Sequence, residues 1–331
     1  MRILITGASG FIGSFMVEEA IKRGFETYAG IRQTSSRKYL QDKRIQFADL
    51  NFADTTILAE QLRVLGRFDY IIHNAGVTKC QNKGDFDRVN FGYTRNFVDA
   101  LTEAGLMPDK FLYMSSLSAY GSGNEKTLQP MMLADTPRPN TAYGESKLKA
   151  ERYIQSLNNA PYIILRPTGV YGPRETDYFV FNQTINRGIE PSMGFGTQYL
   201  TFIYVKDLVR VAFDALESNI VRKAYFVSDG KVYTNVEYTE IVKNILGIKR
   251  MLKLKTPLFL AKFIAVLLET VYGWFGKTPT LNRDKYNILS AKNWKCEIEP
   301  LERDFNSHAE YDLERGMTEA IEWYKKEKWL K

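Results

Sequence analysis

Cysteine is scarce in this sequence: Cys80 and Cys296, far apart, are the only two in 331 residues. A disulfide framework and a cysteine-rich zinc site are therefore excluded, and a reducing, cytoplasmic setting fits. Repeats, low-complexity tracts and long runs of like charge are absent, which removes solenoid architectures and charged tails. The chain opens directly on the strand-like Arg2-Ile3-Leu4-Ile5-Thr6, with no basic segment, apolar core and cleavage site before it, so no signal peptide is expected. A membrane span needs about 20 residues largely free of charge. The nearest approach is 257–276, which Lys262 and Glu269 interrupt and whose end Gly273 and Gly276 weaken. This stretch is expected to form a buried or cap-domain helix and not a transmembrane span. Interfacial membrane contact and the lining of an apolar substrate pocket are the other uses open to it.

The net charge of +7 raises the question of nucleic acid. Lys and Arg are scattered among acids, however, and no basic helix or aromatic RNA-binding signature stands out. No nucleic-acid partner is expected; an anionic cofactor or substrate would use a few of these charges.

What is present is an alternation. Apolar strand patterns at 2–6, 27–31, 45–48, 70–74, 110–115 and 162–166 are separated by helical patterns at 11–23, 55–63, 86–104 and 142–157. Near-continuous apolar strands alternating with helices imply a parallel sheet covered on both faces. Right-handed crossovers make it a doubly wound α/β sheet, with ligands over the carboxyl ends of its strands. After Pro167 the pattern loosens into loops and shorter helices, with a strand pattern at 224–227. Residues 1–166 read as the dinucleotide-binding domain. Residues 167–331 read as a smaller, mainly substrate-binding α/β part, with segments that cross back.

The first strand runs into Gly7-Ala8-Ser9-Gly10-Phe11-Ile12-Gly13, which opens a helix. Gly7 permits the tight turn, Gly10 lets a pyrophosphate reach backbone N–H groups, and Gly13 lets helix and strand pack closely. The end of the second strand selects the cofactor. An NAD site usually places Asp or Glu there for the ribose hydroxyls. Here Arg32 stands in that place, with Ser35, Arg37 and Lys38 behind it. Arginine can donate to a 2′-phosphate in bidentate fashion, so NADP(H) is preferred, with NAD(H) as the alternative. Asp49-Leu50 follows the third strand, where Asp49 could accept from the adenine amino group. The fourth strand ends in His73-Asn74-Ala75-Gly76, where backbone would pass near the ribose. His73 by itself reads as a packed, hydrogen-bonded residue before it reads as a catalyst.

Tyr143-Gly144-Glu145-Ser146-Lys147 begins a helical pattern, so the phenol and the ammonium share one face. A nearby cation favours the phenolate, letting Tyr143 exchange a proton with a substrate hydroxyl while hydride moves to or from a cofactor. Lys147 could also hold the nicotinamide ribose. The fifth strand ends in Tyr113-Met114-Ser115-Ser116-Leu117-Ser118. A hydroxyl there could bind the substrate oxygen, and Ser115, Ser116 and Ser118 are all chemically able.

Together these residues resemble the extended short-chain dehydrogenase/reductases, also called the NAD-dependent epimerase/dehydratase family. The likeness rests on GASGFIG at 7–13, DL at 49–50, HNAG at 73–76, VNFGYTRN at 89–96, YMSSLSAYG at 113–121, YGESK at 143–147, LRPTGVYGPR at 165–174 and FIYVKDLV at 202–209. It implies a Rossmann fold, and Ser116, Tyr143 and Lys147 as catalytic residues. As cofactor-binding residues it implies Gly7, Ser9, Gly10, Phe11, Ile12, Gly13, Arg32, Arg37, Asp49, Leu50, Asn74, Ala75, Gly76, Asn90, Ser115, Tyr143, Lys147, Pro167 and Thr168, with no metal. It also implies a homodimer through the helices at 86–104 and 142–157.

Two departures bear on the substrate. Nucleotide-sugar members commonly carry an arginine just before the FIYV-like strand; this chain has Leu200 there. The apolar 257–276 segment is similar to that of dihydroflavonol-reductase-like and 3β-hydroxysteroid-dehydrogenase-like members. The resemblance thus implies NADP(H)-dependent interconversion of a ketone or aldehyde and an alcohol on a small hydrophobic molecule. The alternative is a nucleotide-sugar epimerase or dehydratase, in which Arg174, Lys206 or Arg210 must replace the diphosphate contact.

Overall fold

Ile3 and Ile5 point to one side of the first strand and Leu4 to the other, and all three are fully buried. The same two-sided burial holds for Ile71 and Ile72, and for Phe111, Leu112, Tyr113 and Met114, as strands covered on both faces require. In the computed structural model, which describes residues 1–275, 279 and 281–330, the elements alternate as expected. They run β1 (Arg2–Thr6), α1 (Phe11–Lys22), β2 (Glu26–Ile31), β3 (Gln46–Asp49), α2 (Thr55–Leu65), β4 (Tyr70–His73), α3 (Gly84–Phe86), α4 (Tyr93–Glu103), β5 (Lys110–Met114), α5 (Ala142–Ser156) and β6 (Tyr162–Pro167). The second half adds β7 (Gly169–Tyr171), α6 (Asp177–Asn186), β8 (Ile189–Met193), β9 (Tyr199–Leu200), β10 (Phe202–Tyr204), α7 (Val205–Glu217), β11 (Lys223–Val227), β12 (Tyr233–Thr234), α8 (Asn235–Leu246) and β13 (Leu252–Thr256). It ends in α9 (Leu258–Trp274), α10 (Arg283–Ser290), α11 (Glu299–Phe305) and α12 (Leu313–Lys326).

Seven strands form one parallel sheet in the order β11-β6-β5-β4-β1-β2-β3. The order reverses beside β1, which opens a crevice over the carboxyl ends of β1 and β4. One apolar layer joins the sheet to α1 and α7; the other joins it to α2, α4 and α5. β11, from the second half of the chain, pairs with β6 and completes the sheet's edge.

Two expectations meet a different structure. The helix expected at 86–104 is interrupted by a π-helical turn, Asp87–Gly92, which turns Asn90 into the interior at 0% exposure. There its amide accepts from Val77 N at 2.8 Å and donates to Val77 O at 3.0 Å. The wide turn adds a residue to the helical repeat and so changes which side chains face inward. The segment at 257–276 is helical as α9, with Gly276 outside the described residues, but it is not buried. Only Ala261 and Ala265 are buried along it.

Candidate active site

β1 ends at Thr6 and the chain turns at once. Gly7 has φ +66°, and a Cβ there would stand 2.8 Å from the Asn74 carbonyl oxygen. A Cβ on Gly13 would stand 2.1 Å from the Gly7 carbonyl oxygen, so both positions exclude side chains. At Gly10 a Cβ would meet only the Gly7 oxygen, at 3.2 Å. Gly10 caps α1 with no side-chain hydrogen bond. The first N–H groups of the helix, on Phe11 and Ile12, and its positive dipole end thus face the crevice beside Ser9. Such a cradle fits a pyrophosphate.

Past β2, Arg32 folds into a tight turn: its N–H donates to Ser35 Oγ at 3.1 Å, and its carbonyl accepts from Ser35 N at 2.9 Å. Its side chain is exposed, and Arg37 lies with its guanidinium 4.1 Å over the Phe47 ring. Neither arginine pairs with a carboxylate among the described residues, which leaves two cations on the loop after β2. Asp49 ends β3 opposite Ile31, and Leu50 turns inward at 3% exposure.

Beneath the crevice, His73 is locked. Its Nδ1 meets Thr6 Oγ1 at 2.8 Å and its Nε2 meets Thr94 Oγ1 at 3.0 Å. Thr94 donates to Asn90 O, and Ala75 N donates to Thr6 Oγ1. In the neutral ring, these bonds place the proton on Nε2, because the Thr94 hydroxyl proton is already given to Asn90 O. Burial, helped by the Lys147 cation, pushes His73 down to about 3. It braces the Asn74-Ala75-Gly76 turn and has no free nitrogen for catalysis. Asn90 supports the same turn from behind, and Ser146 Oγ accepts from its amide at 3.0 Å.

Ser116, Tyr143 and Lys147 come together across β5 and α5. Thr141 caps α5 by accepting from Gly144 N at 3.0 Å, and Gly144 packs so closely that a Cβ would stand 2.1 Å from the Ser118 carbonyl oxygen. That approach sets the Tyr143 phenol beside Ser116, whose own hydroxyl accepts from Ser118 N at 3.2 Å. Burial pushes Tyr143 up to about 12, and a hydrogen bond with Ser116 pulls it back down. Lys147 Nζ donates to Met114 O at 2.8 Å and lies 4.9 Å over the Tyr113 ring. It also stands 3.4 Å from where a Gly76 Cβ would be. Burial lowers this ammonium to about 8, and the Glu151 carboxylate works against that shift.

The Ser115 hydroxyl is committed elsewhere. Ser115 is buried and donates to Glu151 Oε1, so of Ser115 only the backbone remains for the crevice. Glu151 is itself clamped by Arg166, through Nε at 3.0 Å and Nη2 at 2.7 Å. At the end of β6, Pro167 is buried, and Thr168 keeps a buried hydroxyl with no partner among the described residues. An orphaned donor and acceptor at the end of a central strand is chemically suited to a carboxamide.

Three residues of this region escaped the sequence reading. Glu151 had a signal, since it lies one turn beyond Lys147 on the same face. Gly144 had one in part: a glycine inside a helix costs stability and marks a close approach. Asp284 had none: it accepts from Ala142 N at 3.0 Å across 142 residues of sequence. The three cations named for a diphosphate are all engaged. Arg174 donates to Ser14 at 2.9 Å and to Glu18 at 2.6 Å. Lys206 pairs with Glu319, and Arg210 with Asp207 and Glu310.

Comparison with known proteins adds three findings. The model of the NAD dependent epimerase/dehydratase family matches residues 3–227. Among curated proteins, the 3 beta-hydroxysteroid dehydrogenase/Delta 5-->4-isomerase of Mycobacterium tuberculosis is 23% identical over 98% of this chain and 90% of its own length. The ceramide reductase of Caulobacter vibrioides is 25% identical over 99% of this chain and 96% of its own. Among solved structures, the Bordetella bronchiseptica enzyme WbmG, in complex with NAD and UDP, superposes with a TM-score of 0.77 over 99% of this chain and 96% of that one, at 19% identity.

Proposed function

This chain belongs to the NAD dependent epimerase/dehydratase family, and from that premise we propose that it reduces the carbonyl of a small apolar molecule with NADPH. The observation that carries the proposal is the convergence of Tyr143, set beside Ser116, with Lys147 under the Gly76 turn.

The crevice residues fit a pyridine dinucleotide. The Gly7–Gly10 turn and the uncapped start of α1 would hold the pyrophosphate, Arg32 and Arg37 a 2′-phosphate, and Asp49 and Leu50 the adenine. Asn74, Ala75, Gly76 and Lys147 would hold the ribose, and Thr168, beside Pro167, the carboxamide. Bound there, the nicotinamide supplies the hydride. The protein's part is proton transfer and orientation. Ser116 Oγ holds the substrate oxygen. With its proton held up to about 12, Tyr143 is a phenol at neutral pH, the form that can protonate an oxygen as negative charge develops on it. Lys147 stabilises the phenolate left behind.

Two observations support an apolar substrate. Arg174, Lys206 and Arg210 are tied to acids of their own, and Leu200 offers a diphosphate no charge. Two of the curated relatives that span nearly the whole chain have names that specify a hydroxysteroid and a ceramide, while others of like identity and coverage are named for nucleotide sugars. We also propose that the chain acts as a homodimer through α4 and α5, which light scattering can check.

The test is NADPH consumption with a panel of apolar ketones and aldehydes. Tyr143→Phe should keep cofactor affinity and lose about 10²–10⁴ in kcat. Stereoinversion of a nucleotide sugar without net cofactor turnover would sink the reading.

A further inference from the structure

α9 is a helix with its hydrophobic side turned outward. Phe259, Phe263, Leu267 and Trp274 are 78%, 63%, 49% and 79% exposed. With Thr270 they follow at intervals of four, four, three and four, and so fall within about 80° of arc on a helix turning ~100° per residue. The opposite side meets the protein through Ala261 and Ala265. The apolar surface continues past the helix. Among the described residues β13 pairs only with β8, and it exposes Leu252 and Leu254. At the end of that ribbon, Gly194 donates to Thr256 O at 2.8 Å, and a Cβ on it would touch Leu258, so the 72% exposed Phe195 adjoins the start of α9.

The chain leading into and along this helix carries unpaired charge of one sign. Lys249, Arg250, Lys255 and Lys262 are exposed and make no ion pair among the described residues. The acids on the same elements are already matched, Glu190 with Lys253 and Glu269 with Arg283. The face also adjoins the active site. Gln81, in the loop after β4, donates to Gly273 O at 3.3 Å, and Glu269 accepts from Arg283 N at 3.0 Å. The next residue, Asp284, accepts from Ala142 N, one residue before Tyr143.

We propose that α9, with the basic β13 strand leading into it, docks flat on the surface of an anionic lipid bilayer. No helix among the described residues is long and apolar enough to cross a membrane. A helix with aromatic and leucine side chains outward and unpaired lysines on its flank has the composition of one that lies in the interface plane. Unpaired cations select an anionic surface over a neutral one, each by about fivefold. The docked orientation sets the crevice beside the membrane, so the carbonyl substrate would be a lipid taken from it. That last step rests on the reading of the site given above; the docking does not.

The experiment is co-sedimentation of the purified full chain with vesicles of phosphatidylcholine alone, and of phosphatidylcholine with an equal amount of phosphatidylglycerol. Binding should be at least about tenfold tighter to the anionic vesicles and should weaken with salt. Phe259→Ser with Phe263→Ser should abolish binding without changing the melting temperature or the turnover of a water-soluble carbonyl. Lys255→Glu with Lys262→Glu should remove the preference for phosphatidylglycerol. Failure to bind either vesicle would overturn the docking. So would a wild-type oligomer that the phenylalanine variant dissolves, because a second copy would then cover the face. If no carbonyl is reduced by any form, the reaction fails while vesicle binding is judged on its own. For a bilayer-dissolved carbonyl, slower turnover by the phenylalanine variant supports the lipid substrate, and equal turnover refutes it.

Discussion

The ammonium of Lys147 donates to the carbonyl of Met114 at 2.8 Å, and this bond ties the helix that carries Tyr143 to the strand end that carries Ser116. Its cation is therefore part of the geometry as well as of the chemistry. Burial lowers Lys147 to about 8, and Glu151 opposes that. Activity that needs the cation must fall as pH rises through about 8. Glu151→Gln removes the charge that raises Lys147, so the alkaline limb of kcat/KM should move to lower pH. It also leaves Arg166 buried without its counter-ion, at a cost of about 3–5 kcal/mol, so the profile is to be recorded where circular dichroism shows the fold intact. Lys147→Arg should abolish that limb, because a guanidinium does not titrate there. A limb unmoved by both substitutions belongs to another group.

Gly144→Ala is the smallest change that should separate the catalytic groups. Its Cβ would stand 2.1 Å from the Ser118 carbonyl oxygen, which is rigid backbone. α5 must move off the strand end, taking Tyr143 from Ser116. Overpacking of this kind costs ~1–3 kcal/mol, and a misplacement near 1 Å can cost about a hundredfold in rate. The expected result is a kcat lowered by roughly 10–100-fold, a modest fall in melting temperature and cofactor affinity retained. An unchanged kcat would show that the close approach does not position Tyr143.

The parallel sheet and its glycine turn could be read from sequence because their causes are local. Ile3, Leu4 and Ile5 must be apolar on both faces of a central strand, and Gly7 and Gly13 have no room for a Cβ. Tyr143 and Lys147 could be read for the same reason, being one helical turn apart. Choosing Ser116 over Ser115 was beyond periodicity, because the choice depends on Glu151, a residue of another element that takes up the Ser115 hydroxyl. Asp284, held to Ala142 by tertiary contact, left no pattern. For α9 the sequence gives the helix but not its surroundings. Apolar residues all round read as burial, whereas Phe259 and Trp274 face outward.

His73 should give the fold an acid sensitivity of defined sign. Its ordinary value near 6.5 is depressed to about 3 in the folded chain. Between those values the unfolded chain binds a proton that the folded chain does not, so stability declines as pH falls through this window. The steepest slope for one group is ~1.4 kcal/mol per pH unit. His73→Asn cannot titrate. It should be less stable than wild type at neutral pH, because the Thr6 and Thr94 bonds are disturbed, but wild type's advantage should shrink from pH ~6.5 towards pH ~4. An advantage constant across that range in thermal melts would show that His73 does not carry the effect.

On the proposed reading, Arg32 selects NADPH over NADH. Its backbone is pinned in a turn by Ser35, and its guanidinium, like that of Arg37, has no carboxylate partner among the described residues. Two exposed cations on one loop are free to join an anion, and a 2′-phosphate brings both charge and a bidentate acceptor. Hydrogen bonds to a charged group contribute about 1.5–3 kcal/mol, or roughly 10–150-fold in affinity. Arg32→Asp should therefore weaken NADPH binding by at least that factor and leave NADH binding equal or improved, since an aspartate can accept from ribose hydroxyls but repels phosphate. Titration of both nucleotides against both proteins decides it. If the wild type binds NADH more tightly than NADPH, the basic loop is only a solvated surface, and the cofactor is NAD.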